Sequence, residues 1–168
     1  MIKLKSAKLN NTLLELKQIV KKLRSPNGCD WDKQQTHSSL IPYLIEETYE
    51  VVEAIENRNY KDLKEELGDL LLHIVFQADL SDEENKFTLE DCLESINNKL
   101  VKRHAHIFYG ENESGYSKGS WELSKQEEKK RKSVLDGIPK ALPALLKANR
   151  IQEKAASVGF DWNKKEEV

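Results

Sequence analysis

The chain has 168 residues, a length typical of one domain with room for a hydrophobic core. Twenty-seven Lys and Arg residues oppose 29 Asp and Glu residues, and the resulting net charge of -2 argues against a protein that coats nucleic acid through its phosphates. One third of the residues are charged, while seven Gly and four Pro are few for a turn-rich β protein. We therefore expect an all-α, soluble protein.

The sequence gives no indication of export or of membrane insertion. No apolar run approaches the roughly 20 residues of a membrane-spanning helix, and the first residues lack the continuous apolar run of a secretory signal. Cys29 and Cys92 are far apart and do not have the spacing of a metal site. We expect a cytoplasmic protein with reduced thiols and with neither a membrane nor a nucleic acid as its partner.

Hydrophobic periodicity predicts four helices in the first hundred residues. The first carries apolar residues from Leu9 to Leu23 and ends at a turn over residues 25–28. After a loop to about Ser39, the second runs from Leu40 to Ile55 with Pro42 in its first turn. The remaining two helices begin with capping patterns. The third begins at Asn59 and runs to about Leu80, and the fourth begins at Thr88 and runs to Leu100.

The rest of the chain has a different composition. Residues 109–119 contain three glycines and predict a loop. Residues 122–133 predict a charged helix whose basic run, 129–132, fits either a solvated face or a nucleic-acid patch; the adjacent acids favour the solvated face. Beyond Gly137, Pro139 and Pro143, a short helical pattern continues through Ile151 and Ala155.

The third predicted helix carries a polar stripe on an otherwise apolar surface. Large aliphatic and aromatic side chains surround most of its circumference between Leu67 and Phe76, so we expect this helix to be buried. Glu66, Asp69 and His73 nevertheless fall within about 60° of one another when each residue advances by about 100°. Two carboxyl groups and an imidazole are therefore predicted to share one face.

The second predicted helix has a matching set of acids. Glu46, Glu47 and Glu50 occupy an arc of about 100° beside its apolar face. Taken alone, these three residues fit a solvated face. If they oppose Glu66 and Asp69, however, the clustered carboxylates need a cation, and oxygen ligands suit Mg²⁺, with Mn²⁺ as the alternative.

The histidines do not extend this metal site. Di-iron bundles place a Glu three residues before a His on two helices, and neither acidic segment has that step, so redox iron is disfavoured. We interpret His73 as a hydrogen-bonded core histidine rather than a ligand. His104 and His106 are interpreted as capping or loop residues, because no third or fourth soft ligand is near them in sequence.

Two basic residues on the fourth helix are candidates for phosphate binding. Four acids with one Mg²⁺ remain negative, so a polyphosphate would need further cationic groups. Lys99 and Arg103 lie one turn apart at the border of the apolar stripe. They fit equally well a solvated basic face near the end of a helix, and both interpretations stay open.

Four segments match a set of motifs known from one protein family. Residues 46–50 and 66–69, EETYE and ELGD, resemble the paired patterns E-E-x-x-E and E-x-x-D. Residues 29–36, CDWDKQQT, resemble C-P-W-D-x-x-Q-T with Asp30 replacing Pro, and residues 102–108, KRHAHIF, resemble R-R-H-P-H-V-F with Ala105 replacing Pro. These are motifs of the MazG family of nucleoside triphosphate pyrophosphohydrolases, and the likeness continues through Trp121 and the tail to cover most of the chain.

The resemblance implies an all-α, MazG-like four-helix bundle that is dimeric. Such an enzyme uses Mg²⁺ to split a nucleoside triphosphate between its α and β phosphorus atoms, which gives the monophosphate and pyrophosphate. Glu47, Glu50, Glu66 and Asp69 would be the metal ligands. Glu46 would support those ligands or position the attacking water, so that Glu46, Glu47 and Glu50 form the catalytic set.

The resemblance also suggests how the rest of the substrate is held. Lys99 and Arg103 would bind the phosphates. Trp31 would stack on the base with Lys33 beside it, although an indole at this position could equally be an amphipathic plug on the rim of the bundle.

The tail suggests a tandem arrangement. We expect a bundle over residues 1–120 and a charged helix with a helical extension over residues 121–168. Residues 159–164, GFDWNK, echo residues 28–33, GCDWDK, and such a segment opens a second copy in tandem members of the family. The chain would then be a fragment of a two-domain protein or would have lost the second copy. A non-catalytic nucleotide-sensing or dimerisation module, or a helical scaffold whose acids pair with Lys or Arg, therefore remains as an alternative to an enzyme.

Overall fold

The structure is a computed structural model that describes residues 6–109, 129–130 and 132–160, with side chains from residue 11 onward. These ranges contain helices and turns but no strand, so the prediction of an all-α protein is confirmed. The helices are α1 (Ser6–Arg24), α2 (Asp30–Gln34), α3 (Ile41–Glu56), α4 (Tyr60–Glu83), α5 (Leu89–Arg103), α6 (Ala105–Tyr109) and α7 (Ala144–Ala156). The chain divides into two compact units, Met1–Ile96 and Asn97–Val168, each of which is described by itself.

The turn after α1 requires a residue without a side chain. The amide of Cys29 donates to the carbonyl of Leu23 over 2.8 Å, which folds the chain back onto the last turn of α1. A Cβ atom at Gly28 would lie only 2.0 Å from that same carbonyl oxygen. The predicted loop from Ser25 to Ser39 is thus a tight turn followed by the short helix α2, which the sequence analysis did not anticipate.

Local capping fixes where α4 and α5 begin. The Asn59 side chain accepts hydrogen bonds from the amides of Lys61 and Asp62, at 3.2 and 3.4 Å. At α5, the amide of Thr88 donates to the Asp91 carboxylate over 2.8 Å, and the Thr88 hydroxyl accepts from the Asp91 amide over 3.2 Å. Both predicted helix starts are confirmed.

The core of the first unit lies between α1, α4 and the start of α5. Its buried residues are Val20, Leu40, Val75, Phe76, Ala78, Leu80 and Leu89, with Leu13, Leu16 and Leu72 packed around them. The expectation that α4 is buried is confirmed on one side of the helix only, because Leu67, Leu71 and Ile74 are 40 to 52% exposed in the single chain. These three residues lie on one side of α4, and the core residues Leu72, Phe76 and Leu80 lie on the opposite side.

An ion pair inside this unit was not anticipated from the sequence. The Arg24 and Asp79 side chains are only 6% and 4% exposed, and Arg24 Nε lies 3.5 Å from Asp79 Oδ2. The same guanidinium binds Glu83 and donates to the carbonyl of Asp32 over 2.6 Å, while its Cζ atom stacks 5.3 Å from the centre of the Phe76 ring. Arg24 thus ties α1 and α2 to the second half of α4.

In the second unit, α7 is held by a buried lysine. Lys154 is 4% exposed, and its ammonium donates to the carbonyl oxygens of Val134 and Asp136, at 2.8 and 3.4 Å. The short helix expected near Ile151 and Ala155 is confirmed as α7. The described residues 129–130 and 132–133 of the expected charged helix are turn and bend instead of helix.

Other predictions fall on residues 110–128 or beyond 160, which lie outside the described residues. They include the glycine-rich loop, Trp121, the first part of the charged helix and the domain boundary near residue 120. The echo in the tail extends past Phe160 and is likewise outside. Within the described ranges, no helix is both long enough and apolar enough to cross a bilayer.

Candidate metal centre

The site is built on the hairpin of α3 and α4. Only residues 57–59 separate the two helices. Because α3 and α4 also pack against each other, the hairpin is antiparallel. Glu47 and Glu50 lie three residues apart on one face of α3, and Glu66 and Asp69 lie three residues apart on one face of α4. Glu47 and Glu50 therefore lie about as many residues before the turn as Asp69 and Glu66 lie after it, which places the two pairs of acids at the same level of the hairpin.

Three carboxyl groups from the two helices converge. Oxygen atoms of Glu47, Glu66 and Asp69 all lie within 4.8 Å of one another, and each of these residues is partly buried. The predicted convergence of acids from two helices is thus found in the fold. Hard divalent cations such as Mg²⁺ bind carboxylate oxygens, and three such oxygens this close together could bind one ion.

The protonation of the cluster reflects its crowding. Burial, followed by the neighbouring Glu50 carboxyl group, raises the pKa of Glu47 to about 7, and Asp69 and Glu66 act in the same direction. Burial, followed by Glu50 and Asp69, also raises the pKa of Glu66. Burial and the neighbouring carboxylates therefore make Glu47 and Glu66 harder to ionise. A bound cation would remove this repulsion.

Glu50 and Glu46 lie outside the three-residue cluster. Glu50 is exposed but near enough to raise the pKa of both Glu47 and Glu66, so it borders the cluster. Glu46 is exposed on the neighbouring side of α3. The roles predicted for these two residues stay predictions.

His73 lies one turn beyond Asp69 on the same stripe of α4. It is 9% exposed, so the prediction of a core histidine is confirmed. Its Nδ1 atom is buried and has no hydrogen-bond partner among the described residues, so the prediction of a hydrogen-bonded ring is wrong for that atom. Burial lowers the pKa of His73, against an opposing effect of Asp69, and the neutral imidazole is favoured.

The predicted base-binding residues lie on α2. Trp31 is 51% exposed and packs edge-to-face against Tyr43 of α3, with ring centroids 5.9 Å apart and an interplanar angle of 74°. The Lys33 ammonium pairs with the Asp30 carboxylate over 2.7 Å and donates to the Pro26 carbonyl over 3.2 Å. Tyr43 was missed from the sequence, although its place four residues before Glu47 on the same helical face could have identified it.

The predicted phosphate-binding residues belong to the second unit. Lys99 and Arg103 lie one turn apart at the end of α5, and both are partly buried. His104 Nδ1 lies 2.8 Å from the carbonyl oxygen of Leu100 in the last turn of α5, which confirms the capping role expected for that histidine. Phosphate binding by Lys99 and Arg103 stays a prediction.

Comparisons with known proteins agree with this geometry. The family model described as the MazG nucleotide pyrophosphohydrolase domain matches residues 35–108, which include all four predicted metal ligands. The chain is 51% identical over 156 residues to a Thermotoga maritima protein named nucleoside triphosphate pyrophosphohydrolase/pyrophosphatase MazG. It is 45% identical over 158 residues to an Escherichia coli K12 protein named nucleoside triphosphate pyrophosphohydrolase.

The extent of these matches differs between the chain and its relatives. They cover 92% and 90% of this chain but 60% of each of the two relatives. A Mycobacterium tuberculosis protein with the same name as the second relative is 36% identical over 88% of the chain and 46% of its own length. The chain therefore spans 46 to 60% of the length of these three relatives.

Proposed function

Because residues 35–108 of this chain are a domain of the MazG family, we propose that the protein hydrolyses nucleoside triphosphates to nucleoside monophosphates and pyrophosphate. The observation that carries the proposal is the convergence of Glu47, Glu66 and Asp69 from two helices. The names of the relatives support the same reaction. The biological role that fits is removal of surplus or non-standard nucleotides.

The donor set supports Mg²⁺ as the cofactor, with Mn²⁺ as a substitute. The cluster offers carboxylate oxygens and no sulfur ligand, which is the chemistry that hard divalent cations prefer. Burial and the neighbouring carboxylates raise the pKa values of Glu47 and Glu66, and a bound cation would favour their ionised forms. In this proposal Glu47, Glu50, Glu66 and Asp69 hold the metal.

The remaining acid positions the nucleophile. When bound, Mg²⁺ would neutralise phosphate charge and lower the pKa of a water. Glu46 lies on the same helix as Glu47 and Glu50, and its carboxylate would orient the attacking water in line with the leaving pyrophosphate. Glu46, Glu47 and Glu50 are thus the proposed catalytic residues.

Basic and aromatic residues would hold the other parts of the substrate. We assign phosphate binding to Lys99 and Arg103, whose positive charge would stabilise the departing pyrophosphate. Trp31 offers a half-exposed indole for stacking on the base. Lys33 would contribute mainly by anchoring α2, because its ammonium already binds Asp30 and the Pro26 carbonyl.

We also propose that two chains form a homodimer. Apolar side chains along the outer sides of α3 and α4 are exposed in the single chain: Ile45, Val52, Ile55, Leu67, Leu71 and Ile74. An exposed apolar stripe of this kind on a hairpin is typical of a covered surface. A second copy would cover it with the same stripe, as two-fold symmetry requires.

The proposed location is the cytoplasm. Cys29 and Cys92 are both free thiols, as expected for a protein kept in a reducing compartment.

Product identification tests the proposed reaction. The protein is incubated with each of the common nucleoside triphosphates and Mg²⁺, and the products are resolved by ³¹P NMR. We expect monophosphate and pyrophosphate in equal amounts, and no turnover when EDTA removes the metal. Release of orthophosphate alone, or no product from any nucleoside triphosphate, would contradict the assignment.

A further inference from the structure

The contact between Trp31 and Tyr43 joins two elements that the sequence separates. Trp31 lies on α2, a helix of only five residues, and its indole is half exposed. Tyr43 lies in the first turn of α3 and is 42% exposed. The two rings meet edge-to-face with centroids 5.9 Å apart, within the range in which aromatic pairs attract each other.

The backbone of α2 is anchored independently of these rings. Lys33 pairs with Asp30 and donates to the carbonyl of Pro26, and the side-chain amide of Gln35 donates to the carbonyl of Trp31 over 2.9 Å. These bonds fix where the Trp31 main chain lies. They do not fix the plane of the indole, which depends on what the ring packs against.

Tyr43 also lies on the face of α3 that carries the acids. At about 100° per residue, Tyr43, Glu47 and Glu50 fall within about 60° of one another. Tyr43 precedes Glu47 by four residues, which is about 6 Å along the helix axis. The aromatic pair is therefore one turn beyond the carboxylate cluster, on the side to which the nucleoside of a bound triphosphate could extend.

We propose that Tyr43 is a positioning residue that holds the Trp31 indole in the plane needed to stack on the nucleobase. The inference rests on the proposed function, because it assumes that the substrate carries a base. Tyr43 acts through its ring: its hydroxyl makes no hydrogen bond within the described part of the chain. Stacking tolerates any base, so Tyr43 contributes to affinity for the nucleoside and not to the choice among bases.

Steady-state kinetics with matched variants test this role. Tyr43→Leu removes the aromatic ring, Tyr43→Phe keeps it, and Tyr60→Leu makes the same exchange at an exposed tyrosine in the first turn of α4. Inorganic tripolyphosphate, which has no base, serves as a competitive inhibitor. Helical circular dichroism checks that each variant folds.

We expect Tyr43→Leu to raise KM for a nucleoside triphosphate by about 2- to 10-fold, the loss of one aromatic pair. Its kcat and the inhibition constant of tripolyphosphate should not change, and Tyr43→Phe and Tyr60→Leu should behave as wild type. An unchanged KM in Tyr43→Leu would overturn the proposal. An equal rise of KM in Tyr43→Phe would also overturn it, because the effect would then belong to the hydroxyl. A parallel rise in the inhibition constant of tripolyphosphate would overturn it as well, because it would indicate general damage to the site.

Fluorescence separates failure of this inference from failure of the proposed reaction. In a variant with Trp121→Phe and Trp162→Phe, Trp31 is the remaining tryptophan. Titration with a non-hydrolysable α,β-methylene nucleoside triphosphate then reports binding at Trp31 without turnover. If the wild type cleaves no triphosphate, the proposed function fails. The positioning role is still supported if quenching of Trp31 is weaker in Tyr43→Leu and unchanged in the other variants. Equal quenching in all variants overturns it.

Discussion

A carboxylate oxygen of Glu47 on α3 lies within 4.8 Å of one from Asp69 on α4, and both side chains are partly buried. Burial, followed by the neighbouring Glu50 carboxyl group, raises the pKa of Glu47 to about 7, and the charge of Asp69 acts in the same direction. An arrangement that is unfavourable for the metal-free protein becomes favourable once a divalent cation lies between the carboxylates.

Neutral replacements in the cluster should abolish turnover. Glu47→Gln and Asp69→Asn keep the size of each side chain and remove one anionic ligand, so we expect activity to fall by at least about 100-fold with weaker Mg²⁺ binding. Glu56→Gln is the matched control, because Glu56 is exposed at the end of α3 and lies on another side of that helix. Pyrophosphate release and magnesium titration measure the two effects. Full activity in Glu47→Gln would argue against its role as a ligand.

The stability of the metal-free protein should depend on pH through Glu47. Its pKa is raised from 4.5 to about 7 on folding, so between these values the folded protein binds more protons than the unfolded chain. The contribution of Glu47 to the free energy of unfolding therefore decreases as pH rises through this window and is constant above it.

Glu47→Gln removes this contribution. In EDTA, we expect the variant to gain stability relative to wild type as pH rises from 4.5 to 8, measured by urea unfolding. At pH 8, Mg²⁺ should stabilise the wild type and have little effect on the variant. A difference in stability that is the same at every pH would show that Glu47 has no raised pKa.

The apolar stripe of α3 and α4 should control the oligomeric state. Leu71→Lys places a charge in the middle of the stripe, and we expect it to convert a wild-type dimer to a monomer in sedimentation equilibrium. Leu145→Lys makes the same exchange at an 86% exposed leucine on α7 and should leave the dimer intact. A monomeric wild type, or a Leu71→Lys protein that stays dimeric, would contradict the proposed interface.

The buried ion pair of the first unit should be essential for stability. Arg24→Met leaves Asp79 buried without its nearest cation, and we expect a loss of about 3 kcal/mol in the free energy of unfolding. Burial raises the pKa of Asp79 while Arg24 opposes that rise, so the loss should be larger at pH 8 than at pH 5. The double variant Arg24→Met/Asp79→Leu should recover much of this loss. A double variant no more stable than Arg24→Met would show that other contacts of Arg24 account for the effect.

Local patterns in the sequence predicted much of the fold and the acidic part of the site. Helical periodicity placed Glu47, Glu66 and Asp69 on facing stripes, and side-chain capping marked the starts of α4 and α5 at Asn59 and Thr88. These features depend on residues three or four positions apart, so they can be read within one helix.

Contacts between distant segments could not be predicted in the same way. Arg24 and Asp79 are 55 positions apart, and nothing local to either residue indicates the pairing. The contact of Trp31 with Tyr43 depends on the path of the chain through α2, which the loop composition did not indicate. Periodicity predicted an apolar surface at Leu67 and Leu71, which are exposed in the single chain, but it does not indicate what covers that surface.

The most direct test of the metal centre is a crystal structure of the protein with Mn²⁺ and an α,β-methylene nucleoside triphosphate, with the metal located by anomalous scattering. We predict an anomalous peak within about 2.2 Å of carboxylate oxygens from Glu47, Glu66 and Asp69. A peak bound elsewhere on the chain, or one with these three carboxylates turned away from it, would contradict the proposed site.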